Sequence, residues 1–304
     1  DFDIDEYKVQ KPDVKKLSDL YDELEFRIFK KRIAEEISGD DPNGQISMFD
    51  ADTSVSPAKC DVIYAGENEL NDIKKAIAKG KTASIKLLLD GERALNSNAI
   101  ALGISDCDKI YYIDFENLDE KQTLDSLKDI FEGSDTAIWG HNLKDEIIYL
   151  MKNNIQINNI KFDSEIGKYL LNPSESSYSI DKIAYEFLNV EIPSENQILG
   201  TGVKRKTFKA LDTEERKTYI FNYLNTVNKV QKQIVSSINA LQMTSLYENI
   251  ELPLIEVLAY MEFVGFKVDL NVIDKLGIHF QGKILQLEKT IYALAGESFN
   301  INFI

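Results

Sequence analysis

The sequence predicts an α/β protein in which helices flank a mixed sheet and a largely helical region follows. Three apolar runs, at 84–89, 100–105 and 109–114, are joined by short connections, which favours an antiparallel meander. A helical pattern at 119–131 and a buried strand at 136–139 follow, and this alternation indicates helices packed on the sheet. Beyond these segments, most apolar residues recur at helical spacing.

The beginning of the chain predicts a helix and then a linker. Asp13 is suited to cap the helix. The apolar stripe of this helix, at spacings of three and four, comprises Leu17, Leu20, Tyr21, Leu24 and Ile28. Residues 38–57 are rich in Gly, Pro, Asp and Ser, which predicts a linker over 38–59. A short strand at 61–65 and a short helix at 71–79 are expected next.

The longest predicted helix begins at Asp212, where Glu215 lies three residues further on and completes a capping box. Its buried stripe is Tyr219, Tyr223, Val227, Val230, Ile234, Ile238 and Leu241. A domain boundary is expected near 248–253. Two further helices follow, one from Leu254 to Val264 and one that ends at about Leu294.

The composition restricts the classes of function. The chain has 35 Lys and Arg against 51 Asp and Glu, so its net charge is −16, and contact with a phosphate backbone requires a local basic patch. Two cysteines, Cys60 and Cys107, give neither a disulfide framework nor a metal-finger spacing. The acidic start is not a signal peptide, and no apolar run approaches the roughly 20 residues that span a bilayer. We expect a cytoplasmic protein without membrane contact.

The common catalytic motifs are missing from the sequence. It contains no Walker loop, nucleophile elbow, zinc-protease helix or dinucleotide fingerprint. The two histidines, His141 and His279, are far apart in sequence and are interpreted as surface or structural residues.

Several segments resemble bacterial family A DNA polymerases, the DNA polymerase I family. In the order that they have in that family, the segments are 21–29, 140–146, 162–173, 200–205, 250–269 and 294–302. The resemblance implies a ribonuclease H-like fold of the 3′–5′ exonuclease type, preceded by an N-terminal helix and followed by a helical thumb segment. It extends over nearly the whole chain.

This resemblance also implies a division into four regions. They are the end of a 5′-nuclease region (1–37), the linker (38–59), an exonuclease-like domain (60–247) and the start of the polymerase thumb (248–304). We expect a fragment of a protein that extends primers with dNTPs and Mg²⁺ in DNA replication and repair. The start without Met and the departure from the family after Asn302 favour truncation. The expected partners are DNA and the remaining polymerase and 5′-nuclease domains in cis, and no cofactor is expected for the fragment itself.

A proofreading exonuclease of this kind would use two divalent ions about 3.5–4 Å apart. The residues that hold these ions must be Asp or Glu, because hard cations bind anionic oxygens. The resemblance puts the four carboxylate positions at Lys86, Leu88, Glu146 and Tyr223, and a water-orienting tyrosine at Tyr219. Only Glu146 is an acid, and a Lys ammonium repels metal ions. The sequence therefore predicts a catalytically inactive domain with a structural role and without a metal.

A different strand register gives the alternative of an active metal-dependent 3′–5′ exonuclease. Asp90 and Glu92 form an Asp-x-Glu pair directly after the leucine run, and they could act with Glu146. The intervening Gly91 is typical of a turn, and no acid occurs between residues 215 and 248. We favour a solvated turn at Asp90 and Glu92.

The densest basic cluster in this acidic chain consists of Lys204, Arg205, Lys206 and Lys209. It could contact a DNA backbone, which would make the domain a DNA- or partner-docking module, or it could be a solvated loop. Phe208 is the one aromatic residue among these charges, so we favour the solvated loop. Trp139, at the end of a strand, is interpreted as part of the core.

Overall fold

The structure, a computed structural model, describes residues 13–23, 61–91 and 93–301, and the chain divides into two compact units, 1–58 and 59–304. The strands of the second unit among the described residues are Val62–Tyr64 (β1), Thr82–Leu89 (β2), Ala99–Ser105 (β3), Ile110–Asp114 (β4), Ala137–Gly140 (β5) and Ile160–Asp163 (β6). They form one sheet in the order β1-β4-β3-β2-β5-β6.

The sheet is mixed, as predicted. Strands β2, β3 and β4 form the predicted antiparallel meander, with Lys86 opposite Gly103 and Gly103 opposite Tyr112. The other neighbours, β1 with β4, β2 with β5 and β5 with β6, are parallel. Strand β6 was not predicted, because its four residues include Lys161 and Asp163 and show no apolar run.

Helices cover the sheet and make up most of the remainder. In the first unit the described helix is Val14–Glu23 (α1). In the second unit the helices longer than one turn are Glu67–Gly80 (α2), Glu120–Glu132 (α3), Lys144–Lys152 (α4), Ser164–Leu171 (α5), Ile180–Leu188 (α6), Glu195–Leu199 (α7), Thr213–Ala240 (α8), Leu252–Val264 (α9) and Leu270–Ala295 (α10). A π-helix, Tyr247–Glu251, leads directly into α9. None of the described helices is long and apolar enough to cross a membrane.

Some predictions for the first unit fall on residues outside the described ranges. Leu20 of the predicted stripe is 45% exposed, while Leu24, Ile28 and the linker 38–59 lie outside the described residues. In the second unit, α2 begins earlier than predicted because the Glu69 carboxylate accepts a hydrogen bond from the Gly66 N–H at 2.9 Å. The boundaries of the four predicted regions, including the one near 248–253, stay predictions.

The long helix α8 packs its predicted stripe against the sheet. Asp212 caps the helix, and its side chain and that of Glu215 form the predicted capping box. Tyr219, Tyr223, Val227, Val230, Ile234 and Ile238 are all buried. Leu241 is 56% exposed because α8 ends at Ala240, so its assignment to the stripe was wrong.

The close approach of α8 to the sheet depends on Gly103 of β3. A methyl group at Gly103 would lie 2.5 Å from Ile220 Cγ2 and 3.1 Å from Leu224 Cδ1. These distances are shorter than van der Waals contact, so a side chain here must push the helix from the sheet.

We therefore expect Gly103→Ala to reduce the free energy of unfolding by about 1–3 kcal/mol, measured by urea denaturation. The matched control is Gly277→Ala, because Gly277 lies in α10 with no atom near the added methyl group. Alanine favours a helix over glycine by about 1 kcal/mol, so the control should keep or gain stability. Equal free energies of unfolding for the two variants would contradict a tight contact between Gly103 and α8.

Candidate functional site

A cleft of about 630 Å³ opens where β2 meets the start of α4 and the loop that follows α7. Its lining includes Lys86, Leu89, Glu146, Glu195, Arg205 and Lys206. Strand β2 and helix α4 thus bring together two residues, Lys86 and Glu146, that are 60 positions apart in the sequence.

Lys86 and Glu146 form an ion pair at the base of the cleft. The distance from Lys86 Nζ to Glu146 Oε1 is 2.8 Å, and the side chains are 16% and 1% exposed. The Leu87 N–H also donates to Glu146 Oε1, at 3.3 Å. Glu146 Oε2 is buried without a hydrogen-bond partner among the described residues. Lys86 is therefore the cation that neutralises this buried carboxylate.

The ion pair lies against the aromatic face of α8. Lys86 Nζ is 4.9 Å from the centre of the Tyr223 ring, which is within the range of a cation–π contact. The Tyr223 hydroxyl donates to the His141 carbonyl oxygen, and the two rings meet edge to face at 5.6 Å. His141 Nδ1 lies 3.0 Å from Ser164 Oγ. The Tyr223 side chain is thus fixed from three sides.

Burial and the ion pair decide the charges at the base of the cleft. Burial disfavours the Lys86 ammonium, but the Glu146 carboxylate outweighs it, so the pKa of Lys86 is raised. Burial raises the pKa of Glu146, and Lys86 opposes this shift. Burial and the Lys86 charge lower the pKa of His141 to about 3, so this ring is neutral at pH 7. The neutral, buried His141 agrees with its predicted structural role.

Tyr219 lies behind the wall of the cleft, where it contacts two of the lining residues, Glu195 and Phe208. Its hydroxyl donates to Glu195 Oε2 at 3.1 Å, and its ring packs on Phe208 at a centroid distance of 4.9 Å. Burial raises the pKa of both Tyr219 and Tyr223, so both phenols stay protonated. Leu88, the remaining predicted position, is fully buried in the core next to the cleft.

The alternative register depends on Asp90, which lies in a turn beyond the end of β2. Its carboxylate accepts hydrogen bonds from the Asn98 main-chain N–H at 2.7 Å and from Asn98 Nδ2 at 3.1 Å. These bonds lower the pKa of Asp90. Glu92 lies outside the described residues.

The donor set at the family positions does not fit a pair of dications. Glu146 is the single carboxylate there, and it already pairs with Lys86. In the described part of the chain, no three His, Cys, Asp or Glu side chains are grouped so that they could hold a metal ion. Hard divalent cations need several anionic or carbonyl oxygens.

The predicted basic cluster lies in the loop at the mouth of the cleft, and we call its members Lys204, Arg205, Lys206 and Lys209 the basic rim. Arg205 pairs with the Glu195 carboxylate and donates to Asn196 Oδ1 at 2.7 Å. The other three side chains are exposed and have no ion pair among the described residues. Within the described residues, the rim therefore has three ammonium groups outside any ion pair, of which Lys209 is close enough to Asp90 to help lower the pKa of that carboxyl group.

Sequence reasoning missed Glu195, which binds both Tyr219 and Arg205. It also missed Asp163, which accepts hydrogen bonds from the main-chain N–H groups of Leu143, Glu165 and Ile166. The extended Asp163 before a helical pattern is a readable N-cap signal. Trp139 is partly buried against the core, with its ring 6.0 Å from that of Phe162, in agreement with its interpretation.

The sheet, the flanking helices and the position of the cleft define a ribonuclease H-like domain of the exonuclease type. Residues 85–230 match the family described as DNA polymerase I, ribonuclease H-like domain. The chain is 25% identical over 302 residues to DNA polymerase I of Lactococcus lactis subsp. cremoris, which covers 97% of this chain and 30% of that protein. It is 24% identical over 321 residues to DNA polymerase I of Pseudomonas aeruginosa, and this match covers 99% of this chain and 34% of that protein.

Among solved structures, the chain resembles the POL domain of Pol1 from M. smegmatis in complex with a DNA primer-template and dNTP. The TM-score is 0.63 at 19% identity, over 79% of this chain and 38% of that one, which shows a shared fold. Residues 85–230 thus belong to the DNA polymerase I ribonuclease H-like domain family, and the chain is homologous to bacterial DNA polymerase I over most of its length. It spans about a third or less of the curated relatives that it matches.

Lys86→Met should leave the Glu146 carboxylate buried without its cation, and breaking one side of a buried pair costs about 3–5 kcal/mol of unfolding free energy. Removal of Lys86 raises the pKa of Glu146 further above its value in the unfolded chain. The native state then binds more protons than the unfolded state, so its stability falls as the pH rises. Urea denaturation at about pH 5 and about pH 8 should show the larger loss at the higher pH.

The control for this variant is Lys144→Met, which removes a lysine from the same region. Lys144 pairs with Glu262 at 2.9 Å, but both side chains are more than a third exposed. Such a pair contributes about 0–1 kcal/mol, so the control should be nearly neutral at both pH values. A Lys86→Met protein as stable as this control would show that the buried pair does not matter.

Proposed function

We propose that the second unit is a non-cleaving exonuclease-like domain that supports the thumb base of a DNA polymerase I-type protein. The observation that carries the proposal is the Lys86–Glu146 ion pair, formed by two residues that the resemblance assigns to metal-carboxylate positions. The permanent ammonium satisfies the carboxylate that a divalent ion would otherwise bind. Tyr223, at another of the carboxylate positions, offers a protonated phenol instead of an anion. Phosphodiester cleavage by two metal ions is therefore not supported.

A supporting role agrees with how α9 contacts the domain. Lys144 at the start of α4 pairs with Glu262 of α9. Before α9, the Tyr247 hydroxyl makes hydrogen bonds with both the N–H and the carbonyl oxygen of Asp163, at 2.9 and 3.0 Å. The buried Tyr247 contacts fix the π-helix that leads into α9 to the edge of the sheet, and the partly exposed Lys144–Glu262 pair adds little to this. The Tyr247 contacts suit a rigid base for the thumb.

The proposal extends to the whole protein, of which this chain spans a part. In it, a palm and fingers outside these residues would extend primers with dNTPs and Mg²⁺ during replication and repair in the cytoplasm. Residues 1–37 would end a 5′-nuclease region, and residues 248–304 would begin the thumb. The DNA polymerase I relatives support this assignment.

Binding of Mn²⁺ and nuclease activity test the proposal together. Titration calorimetry of the 304-residue chain with Mn²⁺ should give no stoichiometric binding at micromolar affinity. A 5′-labelled single-stranded oligonucleotide should stay intact with Mg²⁺ or Mn²⁺, and EDTA should not change the melting temperature.

The competing function is an active exonuclease that uses Asp90, Glu92 and Glu146. It predicts Mn²⁺ binding and shortening of the oligonucleotide, both abolished by Asp90→Ala and by Glu146→Gln. Asp125→Ala is the control, because Asp125 is an acid on α3 that does not line the cleft. Loss of binding and cleavage in the first two variants, but not in the control, would overturn the non-cleaving function.

A second function, contact with a phosphate backbone, is favoured by the exposed lysines of the basic rim, which form no ion pair within the described residues. Two members of the rim, Arg205 and Lys206, line the cleft. The net charge of the chain is −16, so the rim is a local positive patch on a protein that repels phosphate on average. A few Lys contacts supply a weak, sequence-independent attraction that depends on salt. No metal is needed for such contact.

Lys206→Gln/Lys209→Gln should weaken the binding of a labelled single-stranded oligonucleotide at low salt in EDTA. It should also reduce the magnitude of the slope of log K against log salt by about 1.4, since each of the two lost phosphate contacts on a single strand contributes about 0.7. Fluorescence anisotropy across a salt series measures both effects. Lys229→Gln/Lys232→Gln on α8 is the matched control, because it removes the same charge away from the cleft. Similar slopes for both double variants would reject a specific role of the rim.

A further inference from the structure

Arg216, in the first turn of α8, is a buried arginine beneath the basic rim. It is 4% exposed, and its Nε donates to the Phe208 carbonyl oxygen at 3.0 Å. Its Nη2 donates to the Lys209 carbonyl oxygen at 3.0 Å and to Glu116 Oε1 at 3.4 Å. One guanidinium therefore binds the successive carbonyl groups of Phe208 and Lys209, and also the Glu116 carboxylate that follows β4.

These bonds fix one end of the rim while the other end is fixed by main-chain contacts. The Lys206 N–H donates to the Leu199 carbonyl oxygen at 2.7 Å. Phe208 is buried against Tyr219, so the segment is also held by packing. Before this held segment, in the loop that the Lys206–Leu199 hydrogen bond closes, the side chain of Val203 is fully exposed to solvent.

We propose that Arg216 is a positioning residue that holds the basic rim in the conformation that contacts a phosphate backbone. The inference rests on the proposed phosphate contact of the rim. Arg216 is buried, so its guanidinium does not contact a ligand directly, and it acts through the main chain of Phe208 and Lys209. A loop whose main chain is ordered before binding avoids part of the entropic cost of immobilising it on the ligand.

The geometry requires an arginine at this position. The planar guanidinium presents its donors in a fixed fork, and Nε and Nη2 reach two different carbonyls at the same time. A lysine would keep the charge but has a single nitrogen on a flexible stem. Arg216→Lys therefore separates the effect of the fork from the effect of the charge.

The test compares Arg216→Lys and Arg216→Gln with Lys217→Gln, in full chains that are shown to melt above the assay temperature. Lys217 is the matched control because it neighbours Arg216 on α8 and pairs with Glu214, away from the rim. The first readout is hydrogen exchange at the amides of Ala210 and Leu211, which donate to Thr207 and Phe208 within the rim segment. The second readout is oligonucleotide affinity across a salt series in EDTA.

Both Arg216 variants should exchange faster at Ala210 and Leu211 and should bind the oligonucleotide about two- to tenfold more weakly, because binding must then order the main chain of the rim. Lys217→Gln should match the wild-type protein in exchange. Wild-type exchange or affinity in Arg216→Lys would overturn the positioning role, and so would a wild-type chain that binds no oligonucleotide. Cleavage of the oligonucleotide in Mn²⁺ would overturn the non-cleaving function alone, so the two failures are distinguishable.

Discussion

A carboxylate that is almost completely buried needs a partner of opposite charge, and in this protein the need is met by a lysine of the same chain. Glu146 of α4 lies in a region enclosed by β2 and α8, where an unpaired anion would cost several kcal/mol. Lys86 supplies the positive charge from β2 and rests on the ring of Tyr223. Strand, helix and aromatic stripe therefore meet at one ion pair.

A second buried carboxylate, Asp163, is satisfied in a different way. It accepts main-chain hydrogen bonds at the start of α5 and before α4, so helix termini and not a cation stabilise its charge. Its own main chain is held by the Tyr247 hydroxyl. Asp163 thus organises the backbone around the cleft, while Glu146 contributes to the charge at its base. Both anions are occupied by structural contacts.

The sequence was sufficient for the meander because three apolar runs with short connections allow few other arrangements. The turn at Asp90 could also be predicted, since Gly91 interrupts the strand pattern, and the structure gives this turn a hydrogen-bonded pair with Asn98. Strand β6 could not be predicted, because it is short and partly polar and is stabilised by its pairing with β5. Local patterns carry no information about such pairing.

The candidate site, like the fold, could be predicted from the sequence only in part. Resemblance to a family put Lys86, Glu146 and Tyr223 in one place, but only the three-dimensional structure shows that the lysine pairs with the glutamate. The role of Arg216 could not be predicted from the sequence for a related reason. An arginine at the start of a helix is normally exposed to solvent, and the burial of Arg216 depends on how the loop folds back over it.

The base and the mouth of the cleft have different electrostatic properties. At the base, the charges of Lys86 and Glu146 compensate each other, so the pair exerts little net attraction on a phosphate group. At the mouth, the ammonium groups of the basic rim carry the phosphate attraction that we propose, and such an attraction should weaken with salt. A backbone drawn to the rim would meet a carboxylate at the base that already pairs with Lys86, so we expect no metal-activated water there. Contact without cleavage is therefore the behaviour that this distribution of charge favours.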